Sequence, residues 1–210
     1  MSTVATQAGA KTSNVIKLIS IFPKLKSIIY RHFLTNTDIK NNFRMYETTL
    51  MRFELHGQCF SWHKAFHGVL LANLTHFAFT NTSQNFINDD IMAFGRACPN
   101  ITHLNLSGVS GLENEQLSKI MAKMHDIKYL SLLRNNKLTN EFFTTLTSKV
   151  SSLEGLEMGG KPDAFQLNIS LDGLENLCSM KFSESLKEVR FEYCAKVGTE
   201  SITKLAMSCP

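Results

Sequence analysis

Four residues in one short stretch, His56, Cys59, His63 and His67, are of the types that bind a transition metal or carry nucleophilic catalysis. Cys59, His63 and His67 stand at i, i+4 and i+8, which would set them in one row on a helix. Thiolate and imidazole together are zinc ligands. Reach argues against a three-ligand site: eight residues of helix span about 12 Å at 1.5 Å per residue. At most a pair such as His63 and His67 could share one ion. The same stretch carries an apolar stripe, Trp62, Ala65, Phe66, Val69 and Leu70, which gives the helix a packing role that needs no metal. Cys–His catalysis would also need an orienting acid and an oxyanion site, and neither is supplied. No G-x-S-x-G elbow, phosphate-cradling glycine loop or pair of C-x-x-C knuckles occurs. The reading is of a non-enzymatic chain with no cofactor.

The elements that must position any functional residue recur. The pattern apolar-x-x-apolar-x-apolar begins at Leu25, Leu50, Leu74, Ile101, Ile127, Leu153 and Leu186, at steps of 25, 24, 27, 26, 26 and 33 residues. Each copy alternates with period two, as a strand does, and runs into a turn such as Ser107-Gly108, Arg134-Asn135-Asn136 or Gly159-Gly160. An amphipathic helix follows, with faces such as Leu117, Ile120, Met121 and Met124, or Phe142, Phe143, Leu146 and Val150. Helix starts carry capping residues, including Asn88-Asp89-Asp90, Thr139 with Glu141, and Thr199-Glu200. The 33-residue step holds an insertion around Lys161-Pro162-Asp163-Ala164-Phe165.

These readings predict a flexible tail over residues 1–13 and an array of about seven repeats over 14–210, reading as open at both ends. Residues 14–23 read as the helix half of a repeat whose strand would precede the chain. A truncated product or partial gene model is the expectation.

The residues Cys98-Pro99-Asn100-Ile101 with Leu104 and Leu106, Phe191-Glu192-Tyr193-Cys194, Val197-Gly198-Thr199-Glu200-Ser201-Ile202, and Leu205-Ala206-Met207-Ser208-Cys209-Pro210 resemble the cysteine-containing leucine-rich repeat. That subtype is found in F-box/LRR and related ribonuclease-inhibitor-like proteins. Only two helix ends keep Cys-Pro, and only Cys194 holds the position after the strand. The resemblance implies an α/β horseshoe with parallel strands on a concave face and helices on the convex face. It also implies the substrate-recognition half of an SCF (cullin-RING) ubiquitin ligase. An F-box needs about 40 residues, and no such segment is visible here. An LRR scaffold with no ligase link is the alternative, and a zinc-dependent activity at Cys59/His63/His67 a further one. Proline ends a helix and restarts a strand, and Cys98, Cys194 and Cys209 read as small apolar fillers.

In such an array the residues between the buried ones face outward. Those singled out for partner binding are Arg52, His56, His76, His103, Asn105, Tyr129, Leu133, Glu157, Glu188 and Arg190. The early strands read as basic to His-rich and the late ones as acidic, with Tyr129 and Leu133 as anchors between them. Arginine and aromatic residues are the types that dominate interface energetics. The net charge of +4 is dispersed, so nucleic acid is not expected, and no apolar run reaches membrane-spanning length. Five cysteines without close pairing fit a cytosolic or nuclear protein. Sequons at Asn73, Asn81, Asn100, Asn105 and Asn168 are discounted, since Asn105 falls inside a strand pattern.

Overall fold

Each apolar alternation forms a strand, and the strands stack side by side. The computed structural model describes residues 3–5, 21–31, 34–150, 152–161, 169–170, 173, 182, 184–194 and 196–208. Its strands are β1 (Thr3–Ala5), β2 (Ser27–Tyr30), β3 (Arg52–His56), β4 (His76–Thr80), β5 (His103–Asn105), β6 (Tyr129–Leu133), β7 (Gly155–Gly159) and β8 (Glu188–Glu192). They pair in parallel, in chain order, as one eight-stranded sheet. Crossover helices are α1 (Asn36–Met45), α2 (Trp62–Phe66), α3 (Asn88–Ala97), α4 (Asn114–Met121) and α5 (Glu141–Lys149), and α6 (Thr199–Ser208) follows the last strand.

From β2 to β8 the register follows the sequence alignment residue for residue. Ile28, Phe53, Phe77, Leu104, Leu130, Leu156 and Val189 form the inward row, and Ser27, Arg52, His76, His103, Tyr129, Gly155 and Glu188 pair across neighbouring strands as an outward one. The tail expectation is corrected at β1: Thr3, Val4 and Ala5 pair with Ser27, Ile28 and Ile29. The strand expected to precede the chain therefore lies within it. Val4 and Ala5 are adjacent apolar residues, so no period-two alternation betrayed a strand held by backbone pairing. Residues 14–20, the insertion from Pro162 and the Cys209-Pro210 end lie outside the described residues.

After β3, β4, β5, β6 and β8 the chain turns through the left-handed region at one repeating position, occupied by Gly57, Asn81, Gly108, Arg134 and Tyr193 with φ between 51° and 75°. A Cβ on Gly108 would also meet the Asn81 side chain at 2.6 Å, so this turn needs glycine twice over.

The core between sheet and helices is aromatic in its first half. Trp62 packs on Phe86 and Phe94, each with ring centroids 4.5 Å away, and on Phe77 and Phe79 at 5.6 and 5.4 Å. Later repeats bury mainly leucine, isoleucine and methionine, such as Leu130, Ile127 and Met124.

Polar side chains bind repeat to repeat. Asn36 Oδ1 accepts from the Ser61 amide at 2.9 Å, and Asn114 Oδ1 from the Thr139 amide at 3.2 Å, so one repeat satisfies the helix start of the next. Asp90 works backwards, accepting from the His63 amide at 2.7 Å. It is buried inside the first turn of α3 rather than at a cap, for the N-cap is Ile87. The sequon residues have structural roles as well. Asn73 and Asn100 donate to the carbonyls of Thr48 and Ala72 at 2.8 Å each, and the Thr75 and Thr102 hydroxyls donate to those of Met51 and Thr75.

Candidate functional site

The outward rows of β3 to β8 line one groove of about 500 Å³. Of the ten residues singled out from the sequence, Arg52, His56, His76, His103, Asn105, Tyr129, Glu157 and Glu188 line it; Leu133 and Arg190 do not.

Its first row is a stack of rings. His76 and His103 lie face to face with centroids 3.8 Å apart and planes 16° from parallel, and Tyr129 continues the stack at 4.5 Å and 19°. Strand spacing of roughly 4.8 Å brings successive rings of one row into contact. The row then reaches Gly155, where a Cβ would lie 2.5 Å from Tyr129 Cδ1. Glycine is what lets the tyrosine ring settle over β7. Tyr129 donates from its hydroxyl to Glu154 Oε2 at 3.4 Å. Lys187 at 2.7 Å and Lys128 at 2.9 Å pull the pKa of the Glu154 carboxyl down to about 2.

Each histidine is pinned by the threonine before it: Thr75 Oγ1 is 2.8 Å from His76 Nδ1, and Thr102 Oγ1 is 2.9 Å from His103 Nδ1. A hydroxyl has one hydrogen. Given to Met51 O or Thr75 O, it leaves Nδ1–H donating to the threonine; given to Nδ1, it leaves the proton of the neutral ring on Nε2. Nε2 of both rings has no hydrogen-bond partner among the described residues. Burial first, and then Arg52 for His76 and His76 for His103, push both pKa values below the ordinary imidazole range.

The expected passage from basic to acidic strands is corrected. Arg52 is paired with Glu54, which also meets His56 Nε2 at 3.2 Å. His56, then Arg52, hold the Glu54 carboxyl below its ordinary range against the opposing effect of burial. At the other end Arg190 engages both Glu157, at 3.6 Å, and Glu192. A hydroxyl relay runs from Ser107 to Ser131 at 2.9 Å and on to Glu157 at 2.7 Å. Glu54, Ser131, Gly155 and Glu154 were missed as site residues. The alternation of Arg52, Glu54 and His56 on one strand face was the available signal for the first.

The Cys59/His63/His67 row does not form. Ser61 caps α2, its hydroxyl accepting from the Lys64 amide, so the helix begins at Trp62 and Cys59 lies outside it. The His63 and His67 rings have centroids 5.7 Å apart. Among the described residues no three His, Cys, Asp or Glu side chains are grouped to hold a metal ion. Cys98 is fully buried, which raises its thiol pKa, and Cys194 is pushed up to about 11 by burial while packing against the core. Cys209 lies outside the described residues.

Parallel strands in chain order, helical crossovers and a left-handed turn recurring after five of the strands define a leucine-rich-repeat solenoid. Two solved structures share it. One is a chain of the crystal structure of the Rad7 and Elc1 complex in yeast, with a TM-score of 0.63 and 16% identity, covering 99% of this chain and 60% of that one. The other is the leucine-rich repeat-containing protein LegL7 from Legionella pneumophila, with a TM-score of 0.56 and 13% identity over 98% of this chain and 80% of that one. The present chain thus spans about 60% of the length of the first. No family model and no curated protein matches it. Among the described residues no helix is long and apolar enough to cross a membrane.

Proposed function

We propose that this chain is a non-enzymatic protein-interaction module whose strand-face groove holds a protein partner. The observation that carries the reading is the His76–His103–Tyr129 stack, three rings fixed in one row and presented to an open groove. Rigid aromatic surface ordered before binding loses little further entropy on contact. The yeast neighbour is itself a complex, of Rad7 with Elc1.

The finer reading is substrate recognition for an SCF ubiquitin ligase, with the module positioning a protein for degradation while other subunits supply the chemistry. It rests on the cysteine-repeat resemblance at Cys98-Pro99-Asn100-Ile101 and at Cys194. Free thiols at Cys59, Cys98 and Cys194 accord with the reducing cytosol or nucleus where such a ligase would work.

Two measurements test these levels separately. Co-purification of the full gene product should retain the Skp adaptor and cullin; their absence leaves an LRR scaffold without a ligase link. Gly155→Ala should drive Tyr129 out of the stack and weaken capture of the co-purifying partner at least tenfold, with the circular dichroism spectrum unchanged. Capture equal to wild type by a folded Gly155→Ala protein would refute the groove as the binding site.

A further inference from the structure

The protein as a whole is basic, with 22 Lys and Arg against 18 Asp and Glu. The groove has the opposite balance: one arginine, Arg52, against the glutamates Glu54, Glu157 and Glu188 among its lining residues. That arginine is already engaged by Glu54. Glu188 is exposed and makes no ion pair among the described residues, while Glu157 has only the longer 3.6 Å contact with Arg190. Glu188 stands on β8 beside Gly155 in the first row, and Glu157 on β7 beside Ser131 in the second. Gly155 puts no side chain of its own between them.

Hydrogen-bonding capacity has the same sign. The Ser107–Ser131 relay spends its protons on Glu157, and Glu54, Glu157 and Glu188 add carboxylate oxygens, which leaves the wall rich in acceptors. The guanidinium of Arg52 and the ammonium groups of Lys128 and Lys187 are committed to Glu54 and Glu154. An acceptor-rich, negative wall fits a ligand that brings donors and positive charge.

We infer that the occupant of the groove is a basic segment of a protein, one that sets a lysine or arginine side chain at Glu157 and Glu188 beside the edge of the histidine stack. This names the chemistry of the partner and rests on the protein-interaction reading above. An acidic segment would meet three carboxylates with no free cation in the lining to answer it.

The test titrates the whole chain with two synthetic peptides of equal length, one alternating glycine and arginine and one alternating glycine and glutamate. Binding is followed through the imidazole carbon-bound proton signals of His76 and His103 by NMR, so contact elsewhere on the surface does not register. The arginine peptide should move both signals, more weakly as salt is raised. E157Q/E188Q should reduce its affinity on the order of tenfold. Glu188 has no side-chain partner among the described residues to lose, and the amide oxygen introduced by Glu157→Gln still accepts from the Ser131 hydroxyl. The double variant should therefore fold, as circular dichroism would verify. Three results overturn the inference: an equal or larger response to the glutamate peptide, no response to either, or unchanged arginine-peptide binding by the double variant. None of them touches the broader reading, which stands or falls on partner capture by Gly155→Ala.

Discussion

Two imidazoles stacked at 3.8 Å, each with Nδ1 on a threonine, form a unit whose charge state matters to the fold. The charged groups around it are Arg52 and Glu54 from β3, together with Lys128 and Glu154 just ahead of β6 and β7. Burial, then Arg52 for His76 and His76 for His103, sets both folded pKa values below 6.5, the value they regain on unfolding. Well above pH 6.5 the full contribution to stability is present. As pH falls below it the unfolded chain takes up protons first, and the contribution is lost as pH passes down through the folded values. Glu54, also depressed, is lost only in a separate window below 4.5. Urea midpoints should therefore drop between about pH 7 and about pH 5.5 in the wild type. The dependence should flatten when both His76 and His103 are replaced by asparagine. A wild-type midpoint that stays constant over this range, or the same slope in the variant, would contradict the stacked neutral pair.

At the scale of the element, the repeat carried most of what could be read in advance. Period-two alternation at Leu74, Phe77 and Phe79 fixes which residues point inward, and from β2 to β8 the pairing follows the alignment without a slip. What escaped depends on partners outside the local pattern. Cys59 dropped off the helical row because Ser61, held by Asn36 of the preceding repeat, starts α2 after it. The pairing of Arg52 with Glu54 was not anticipated, because Arg52, Glu54 and His56 were not weighed together as neighbours on one strand face. The turn ending each strand was visible as a Gly/Asn-rich site, yet its conformation shows how unequal the repeats are. Arg134 adopts φ 62° where Gly108 adopts 71°. For a residue with a Cβ this conformation costs about 1–2 kcal/mol. Arg134 is exposed, and its side chain makes no hydrogen bond or ion pair among the described residues. Arg134→Gly should raise stability by up to about 1 kcal/mol, since glycine's greater freedom in the unfolded chain offsets part of the relief. Gly108→Ala should lower it by more, because its Cβ would meet Asn81. Denaturant unfolding of the two variants checks both signs, and a destabilised Arg134→Gly protein would show that the arginine has a role beyond the turn.

Across the whole molecule the repeats are alike in register and unlike in strength. Each unit of a solenoid is stabilised by its own packing and by the two neighbours it touches, so a sequence difference between units becomes a gradient of local stability. The gradient here is set by ring packing. Trp62 bridges β4, α2 and α3 through Phe77, Phe79, Phe66 and Phe94, and Phe43 stacks on Phe66 at 4.9 Å to extend the cluster toward α1. Burying such rings stabilises by far more than the half-buried contacts of β8. There Val189, Phe191, Cys194 and Val197 are only partly covered, and Ile202 and Met207 of α6 stand exposed. Loss of structure should then begin at β8 and α6 and reach the aromatic repeats last. Because Trp62 is the sole tryptophan, its fluorescence reports that last-to-unfold region alone, whereas far-UV circular dichroism averages over all helices and strands. In urea the fluorescence midpoint should lie above the circular dichroism midpoint. Amides of β4 and α3 should likewise exchange more slowly than those of β8. Trp62→Ala, which removes the hub at a cost of about 3–5 kcal/mol, should abolish that difference in exchange between the two ends. Coincident transitions in the wild type would mean that the units are coupled strongly enough to unfold as one, and the groove would then be rigid from Arg52 to Glu188.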